Sequence, residues 1–112
     1  MMPKPPIEFL VDSFEYKDYL GEGDWNKPVY AESILIENCR IDKTPQYTAT
    51  TSGKQLLFNA VIFCYPGLTS PIGPFKEQGL VIYDGQEHVI TSAIPIKEAY
   101  SDDLYSYELE VV

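Results

Sequence analysis

Three features of the sequence predict a mainly β chain: a small antiparallel β-barrel or sandwich of five to six strands, with long projecting loops and at most one short helix. Aromatic residues make up 13 % of the chain and nine of them are tyrosine; with the β-branched residues they suit a pleated, half-buried surface. The apolar residues fall in short runs separated by proline and glycine, as strands separated by turns do. Hardly any stretch repeats its apolar residues at helical spacing. The 112 residues, 45 % of them hydrophobic, suffice for one core without metal or disulfide staples. The expected organisation is an N-terminal arm over 1–6 and a single barrel domain over 7–112.

Met1 to Pro6 is proline-rich and short of backbone donors, so it is expected to be an extended arm or a mobile tail. The first strand is placed in Ile7 to Tyr16. Ile7, Phe9 and Val11 share one face there, and Phe14 and Tyr16 continue in the opposite phase. The slip at Asp12–Ser13 predicts a bulge, or a strand that passes between two sheets. Lys17 to Pro28 is polar, holds Gly21, Gly23 and the lone Trp25, and has the composition of a loop. Val29 to Asp42, centred on Ile34, Leu35 and Ile36, is long enough to curl around a barrel.

Thr44 to Lys54 has no apolar periodicity and is rich in Thr, Ser and Gly. An exposed, mobile loop of about ten residues is expected, which is long for a compact domain and therefore a functional candidate. Its candidate functional residues are Thr44, Tyr47, Thr48, Thr50, Thr51 and Lys54. Gln55 to Tyr65 is apolar on both faces, as a central strand is when buried on both sides or at a subunit contact. Pro66 to Lys76 carries three prolines and two glycines and must be a shaped loop. Leu68, Ile72, Pro74 and Phe75 in it form a candidate subunit-contact surface, since a proline-stiffened apolar loop loses little entropy on docking. The other reading folds these side chains back onto the barrel. Trp25 has the same two readings, interface anchor or barrel-end plug.

Asp84–Gly85 suits a two-residue turn joining Leu80–Tyr83 to Gln86–Ile94, because both positions tolerate positive φ. Ile96 to Asp103 could form one helical turn. In Leu104 to Val112, Tyr105, Tyr107, Leu109 and Val111 alternate with Ser106, Glu108 and Glu110, the pattern of a half-buried strand.

The net charge of −9, from 8 basic and 17 acidic residues, works against nonspecific binding to nucleic acid or an anionic membrane. No window reaches the length of a spanning helix. Cys39 and Cys64 each sit inside an apolar run and are expected to be free, buried thiols in a reducing compartment. His88, the one histidine, shares a face with Ile90 and Ser92 and reads as an ordinary strand residue rather than a catalytic base. The carboxylates in two groups, Glu15, Asp18, Glu22 and Asp24 and then Asp102, Asp103, Glu108 and Glu110, read first as a solvated acidic face; a cation site or a catalytic pair is the other reading. Metal-ligand spacings, a nucleophile elbow and a phosphate-binding glycine loop are all missing. No catalytic residue, cofactor or metal is expected.

The opening MMPKPPIEFLVDSFEYKDYLGEGDWNKPVYAE, the segment IENCRID, the strand LLFNAVIFCYPG and the run FKEQGLVIYDGQEHVITSAIPI resemble the minor capsid protein family of tailed phages and prophages of Gram-positive bacteria. The resemblance spans nearly the whole chain and extends to the head-closure, or stopper, proteins of the head-to-tail connector. It implies a β-barrel protomer that assembles into a homo-oligomeric ring below the portal and adaptor. The ring closes the DNA channel after packaging and docks tail-terminator or tail proteins. Double-stranded DNA passes through it without sequence-specific binding, no membrane is involved, and the protein sits at the head-to-tail interface of the virion after assembly in the host cytoplasm. The resemblance makes Thr44–Lys54, with Thr44, Tyr47, Thr48, Thr50, Thr51 and Lys54, the candidate lumen or gate segment and Pro66–Lys76 a subunit-contact loop; the termini could extend a neighbour's sheet, and the acidic surplus could face the duplex and repel its phosphates. A competing reading is a small acidic DNA mimic that inhibits a nuclease or DNA-binding protein. Against it, lysines interrupt the negative residues, whereas a mimic needs an unbroken stripe.

Overall fold

The computed structural model describes residues 4–112, so Met1–Pro3 of the expected arm lie outside the described residues. Among the described residues ten strands form: β1 Asp12–Lys17, β2 Tyr19–Glu22, β3 Pro28–Tyr30, β4 Ile34–Asp42, β5 Gln46–Thr50, β6 Gly53–Phe58, β7 Ala60–Cys64, β8 Leu80–Tyr83, β9 Gln86–Lys97 and β10 Leu104–Val111. Six of them close a barrel in the order β1-β4-β7-β10-β9-β8. Every pairing in it is antiparallel. The mainly β expectation holds: among the described residues the helical content is one three-residue 3-10 turn, Ile7–Phe9, while Asp24–Asn26 is a turn with Trp25 and Asn26 at positive φ.

The core is built from inward positions of all six barrel strands, including Phe14, Ile36, Cys39, Ile62, Val81, Ile90 and Leu109. The predicted bulge is present: the β1–β4 register breaks between Asp12 and Ser13, where Asp12 faces Cys39 and Ser13 faces Glu37. The extra residue is Asn38 on β4, at φ 61°, a left-handed conformation that asparagine tolerates. This kink brings both Ile36 and Cys39 inward. Asp12 secures it by accepting the Ile41 N–H at 2.9 Å.

Two expected loops are hairpins, and two expected strands are broken. Lys17 to Pro28 is not all loop, because β2 pairs with β3 with Tyr19 opposite Tyr30. The long strand from Val29 is therefore interrupted at residues 31–33. Thr44 to Lys54 is not an irregular loop, because β5 pairs with β6. Gln55 to Tyr65 is not one central strand: residues 55–57 are exposed in the hairpin, and Ala60–Cys64 alternates inward and outward in the barrel. Asn59 marks the junction, its N–H donating to the Val111 carbonyl at 2.7 Å.

Ile7 to Val11 is not strand either. Phe9 and Val11 are exposed while Leu10 is buried. The N-terminal segment is tied down where Lys4 Nζ donates to the Pro66 carbonyl at 2.7 Å. The Asp84–Gly85 turn forms as expected, with φ 52° and 74°. Ile96 to Asp103 has no helical turn, because β9 runs on to Lys97 and Glu98 N–H closes on the Asp103 carbonyl at 2.9 Å. In β10, Leu109 and Val111 point inward as expected, but a bulge at Tyr105 turns Ser106 inward in its place.

The registers also fix the two ends of the barrel. Tyr16 faces Ile34 where β2–β3 joins β1 to β4, and Asp42 faces Val61 where β5–β6 joins β4 to β7. Since β4 runs from one of these junctions to the other, the two hairpins project from opposite ends.

Candidate assembly surface

A closed barrel has no free sheet edge, so among the described residues unpaired strand edges are confined to the two inserted hairpins. Every residue from Lys43 to Leu57 is exposed. Tyr47, Thr48, Thr50 and Lys54 lie in the paired strands of this one hairpin, with Thr44 at its base and Thr51 in its turn. Tyr47 stands opposite Leu56 and Ala49 opposite Lys54, so those four side chains share a face that is apolar with one cation. Thr48, Thr50 and Gln55 occupy the other face. The tip is closed by Thr50 Oγ1 donating to the Gly53 carbonyl at 3.0 Å. The base is held by Thr44 N–H on Asp42 at 3.1 Å and by Lys43 Nζ on Asp84 at 2.6 Å. A two-stranded hairpin is marginal in water unless a third partner covers it.

At the opposite end, β2–β3 presents Trp25, 92 % exposed, which removes the plug reading. Trp25 and Asn26 both have positive φ, 61° and 56°, a conformation that costs a bulky residue about 1 kcal/mol or more. Glu22 and Asp24 precede the ring in sequence and Lys27 follows it, and Leu20 and Val29 are exposed on the same hairpin. Tyr19 and Tyr30 meet edge to face at its base, 5.8 Å apart.

The proline loop divides its four candidates. Phe75 is buried against Tyr16, Tyr107 and Phe14 at centroid distances of 5.1, 5.3 and 6.1 Å, so it belongs to the chain's own core and leaves the contact set. Leu68 and Ile72 are half-buried and Pro74 is exposed. Ile72 and Pro74 line a groove of about 240 Å³ with Ile34, Ile36 and Pro71. The loop is pinned by Tyr16, whose hydroxyl donates to Asp18 at 2.9 Å and accepts the Lys76 N–H at 3.1 Å. Burial pushes the Tyr16 hydroxyl up to about 12, with the Lys76 N–H opposing and Asp18 adding.

His88 stacks on Tyr83, ring centroids 4.4 Å apart and planes within 9°, with Lys43 5.7 Å from the same tyrosine ring. That is a packed strand residue. Cys39 and Cys64 are free and fully buried. The Cys64 thiol is pushed up by its hydrogen bond with Cys39 and by burial. Among the described residues no cluster of His, Cys, Asp or Glu could hold a metal ion.

One signal in the sequence points to the hairpins and lies in charge order rather than charge sum. No Asp or Glu occurs between Lys43 and Lys76, a stretch that contains three lysines; all 17 carboxylates lie outside it. The β5–β6 hairpin is thus the cationic feature of an acidic molecule.

With barrel, hairpins and loop in place, the chain can be set beside known proteins. The family model described as "Minor capsid protein" matches residues 6–111. The chain belongs to the minor capsid protein family. It is also similar to a relative from Lactococcus phage LL-H named "Uncharacterized protein ORF5", 30 % identical over 80 residues that cover 69 % of this chain and 68 % of the relative. As a phage minor capsid protein it is a structural protein of the virion. The match takes in both hairpins and the proline loop, so each is part of the family's own span and not an addition outside it.

Proposed function

We propose that this minor capsid protein is a head-to-tail connector component that forms a ring below the portal and adaptor, closes the DNA channel after packaging and docks the tail. The observation that carries the reading is the β5–β6 hairpin, exposed along its whole length on a barrel with no other use for it. Such a hairpin gains its stability from neighbours, and copies around a ring supply them by heterologous contact, one patch on a different patch of the next copy. In this reading β5–β6 turns its Thr48, Thr50 and Gln55 face to the lumen as the gate and leaves its other face to a neighbour. The groove beside Ile72 and Pro74 receives the adjacent portal, adaptor or tail protein. The acidic barrel wall repels duplex phosphates, so DNA passes without adhering.

Electron microscopy of particles from a phage or prophage lacking this gene tests the reading. Free full-length tails beside heads that packaged DNA and then leaked it are expected. Intact infectious virions would remove the protein from the connector.

A further inference from the structure

The two hairpins are complementary in charge and in apolar character, and they cannot meet within one molecule. The Tyr47–Leu56 face of β5–β6 is apolar with Lys54 beside it and no carboxylate anywhere on the hairpin. Lys54 makes no ion pair among the described residues, whereas Lys43 is engaged by Asp84. The β2–β3 arm offers the converse: an exposed tryptophan that follows Glu22 and Asp24 in sequence, two carboxylates against the one cation of the arm, Lys27. Trp25 and Asn26 take positive φ as the two central residues of the turn that closes this hairpin, where Lys27 N–H donates to the Asp24 carbonyl at 3.3 Å, and that turn holds the tryptophan out, 92 % exposed. Tryptophan is also the side chain most often found to dominate an interface when it enters an apolar pocket.

From this complementarity we infer that the β2–β3 arm of one copy docks on the β5–β6 hairpin of the next, with Trp25 against Tyr47 and Leu56 and with Asp24 and Glu22 facing Lys54. The contact is heterologous and places a cation at the edge of an aromatic cluster, where it is attracted to the indole face as well as to the carboxylates. Because the surfaces lie at opposite ends of the barrel, each copy gives one and receives one. The pairing also covers both unpartnered hairpins with each other. Duplex DNA is the weaker occupant for the β5–β6 face, since affinity for phosphates grows with the number of cations and this face offers Lys54 alone. The inference rests on charge and position and holds wherever in the virion the protein stands.

Measurements on the full-length protein test it. Sedimentation equilibrium at high protein concentration is expected to show self-association that weakens with salt. Trp25→Ala and Lys54→Glu are each expected to lower that association roughly tenfold or more, with unchanged circular dichroism because both residues are exposed. Mixing the two variants should restore dimers, since one retains the intact hairpin and the other the intact arm. Carbodiimide, which joins contacting amines and carboxylates, should link Lys54 to Asp24 or Glu22 across isotopically distinguishable copies. A monomer at every concentration without that cross-link overturns the inference, as does association that neither variant changes. Retention of a DNA fragment that Lys54→Glu abolishes would assign the hairpin to DNA instead. None of these results depends on the gene-deletion particles, so the contact and the connector role can fail separately.

Discussion

Phe75→Ala separates the two readings of the proline loop by its magnitude. Phe75 is 5 % exposed and its ring touches Phe14, Tyr16 and Tyr107. Truncating a buried phenylalanine costs about 3–5 kcal/mol. The low end applies here, because the ring adjoins an open groove of about 240 Å³ from which water can refill part of the space. An unfolding entropy of about 2.1 cal/mol/K per residue gives roughly 0.24 kcal/mol/K for the 112 residues. A loss of about 3 kcal/mol then lowers Tm by about 13 °C. Thermal unfolding of the isolated protein, followed by circular dichroism, measures it. Phe75→Leu, which keeps most of the volume, should cost less than about 1.5 kcal/mol. A Phe75→Ala protein melting within about 2 °C of wild type, against a scale of several degrees per kcal/mol, would refute the burial argument and return Phe75 to the contact surface.

The raised Tyr16 hydroxyl gives a pH dependence with a definite sign. Unfolded tyrosine loses its proton at its ordinary value of 10.0 and folded Tyr16 at about 12, so in that window the unfolded state binds fewer protons and stability falls as pH rises. Urea unfolding on either side of the window should show the fall in wild type and a shallower one in Tyr16→Phe. It should not be flat, because burial also raises Tyr65 and Tyr83; equal slopes in both proteins would contradict the assignment. Gly73→Ala places a Cβ 2.7 Å from the Phe75 backbone nitrogen and 3.1 Å from the Tyr107 ring. A backbone atom cannot give way there, so a loss of about 1–3 kcal/mol in urea unfolding is expected, and full tolerance would show that the loop is not held against the barrel. Cys39 and Cys64 should stay unreactive toward Ellman's reagent in native buffer and react only as fast as the barrel opens, given their burial and the raised Cys64 thiol; rapid native labelling would contradict it.

Periodicity by itself determined those parts of the protein whose partner lies within the same sheet and whose far face meets water. The Asp84–Gly85 turn follows from two residues that tolerate positive φ. The inward Leu109 and Val111 follow from alternation, and the slip at Asp12–Ser13 follows from a change of phase that the barrel resolves at Asn38. The β5–β6 hairpin was not legible as strand, because neither of its faces is buried by its own chain and no alternation is imposed on Thr48, Thr50 or Gln55. Its charge was legible, in the absence of carboxylates from Lys43 to Lys76, but only as a position along the chain. Tertiary structure alone decided that Gln55–Tyr65 divides at Asn59, that Phe75 turns inward while Pro74 stays out, and that the two hairpins leave opposite ends of the barrel. The reason is the same in each case. Local pattern records which side of a segment avoids water, whereas closure of six strands into a barrel sets which segments share an end and which must look for partners outside the molecule.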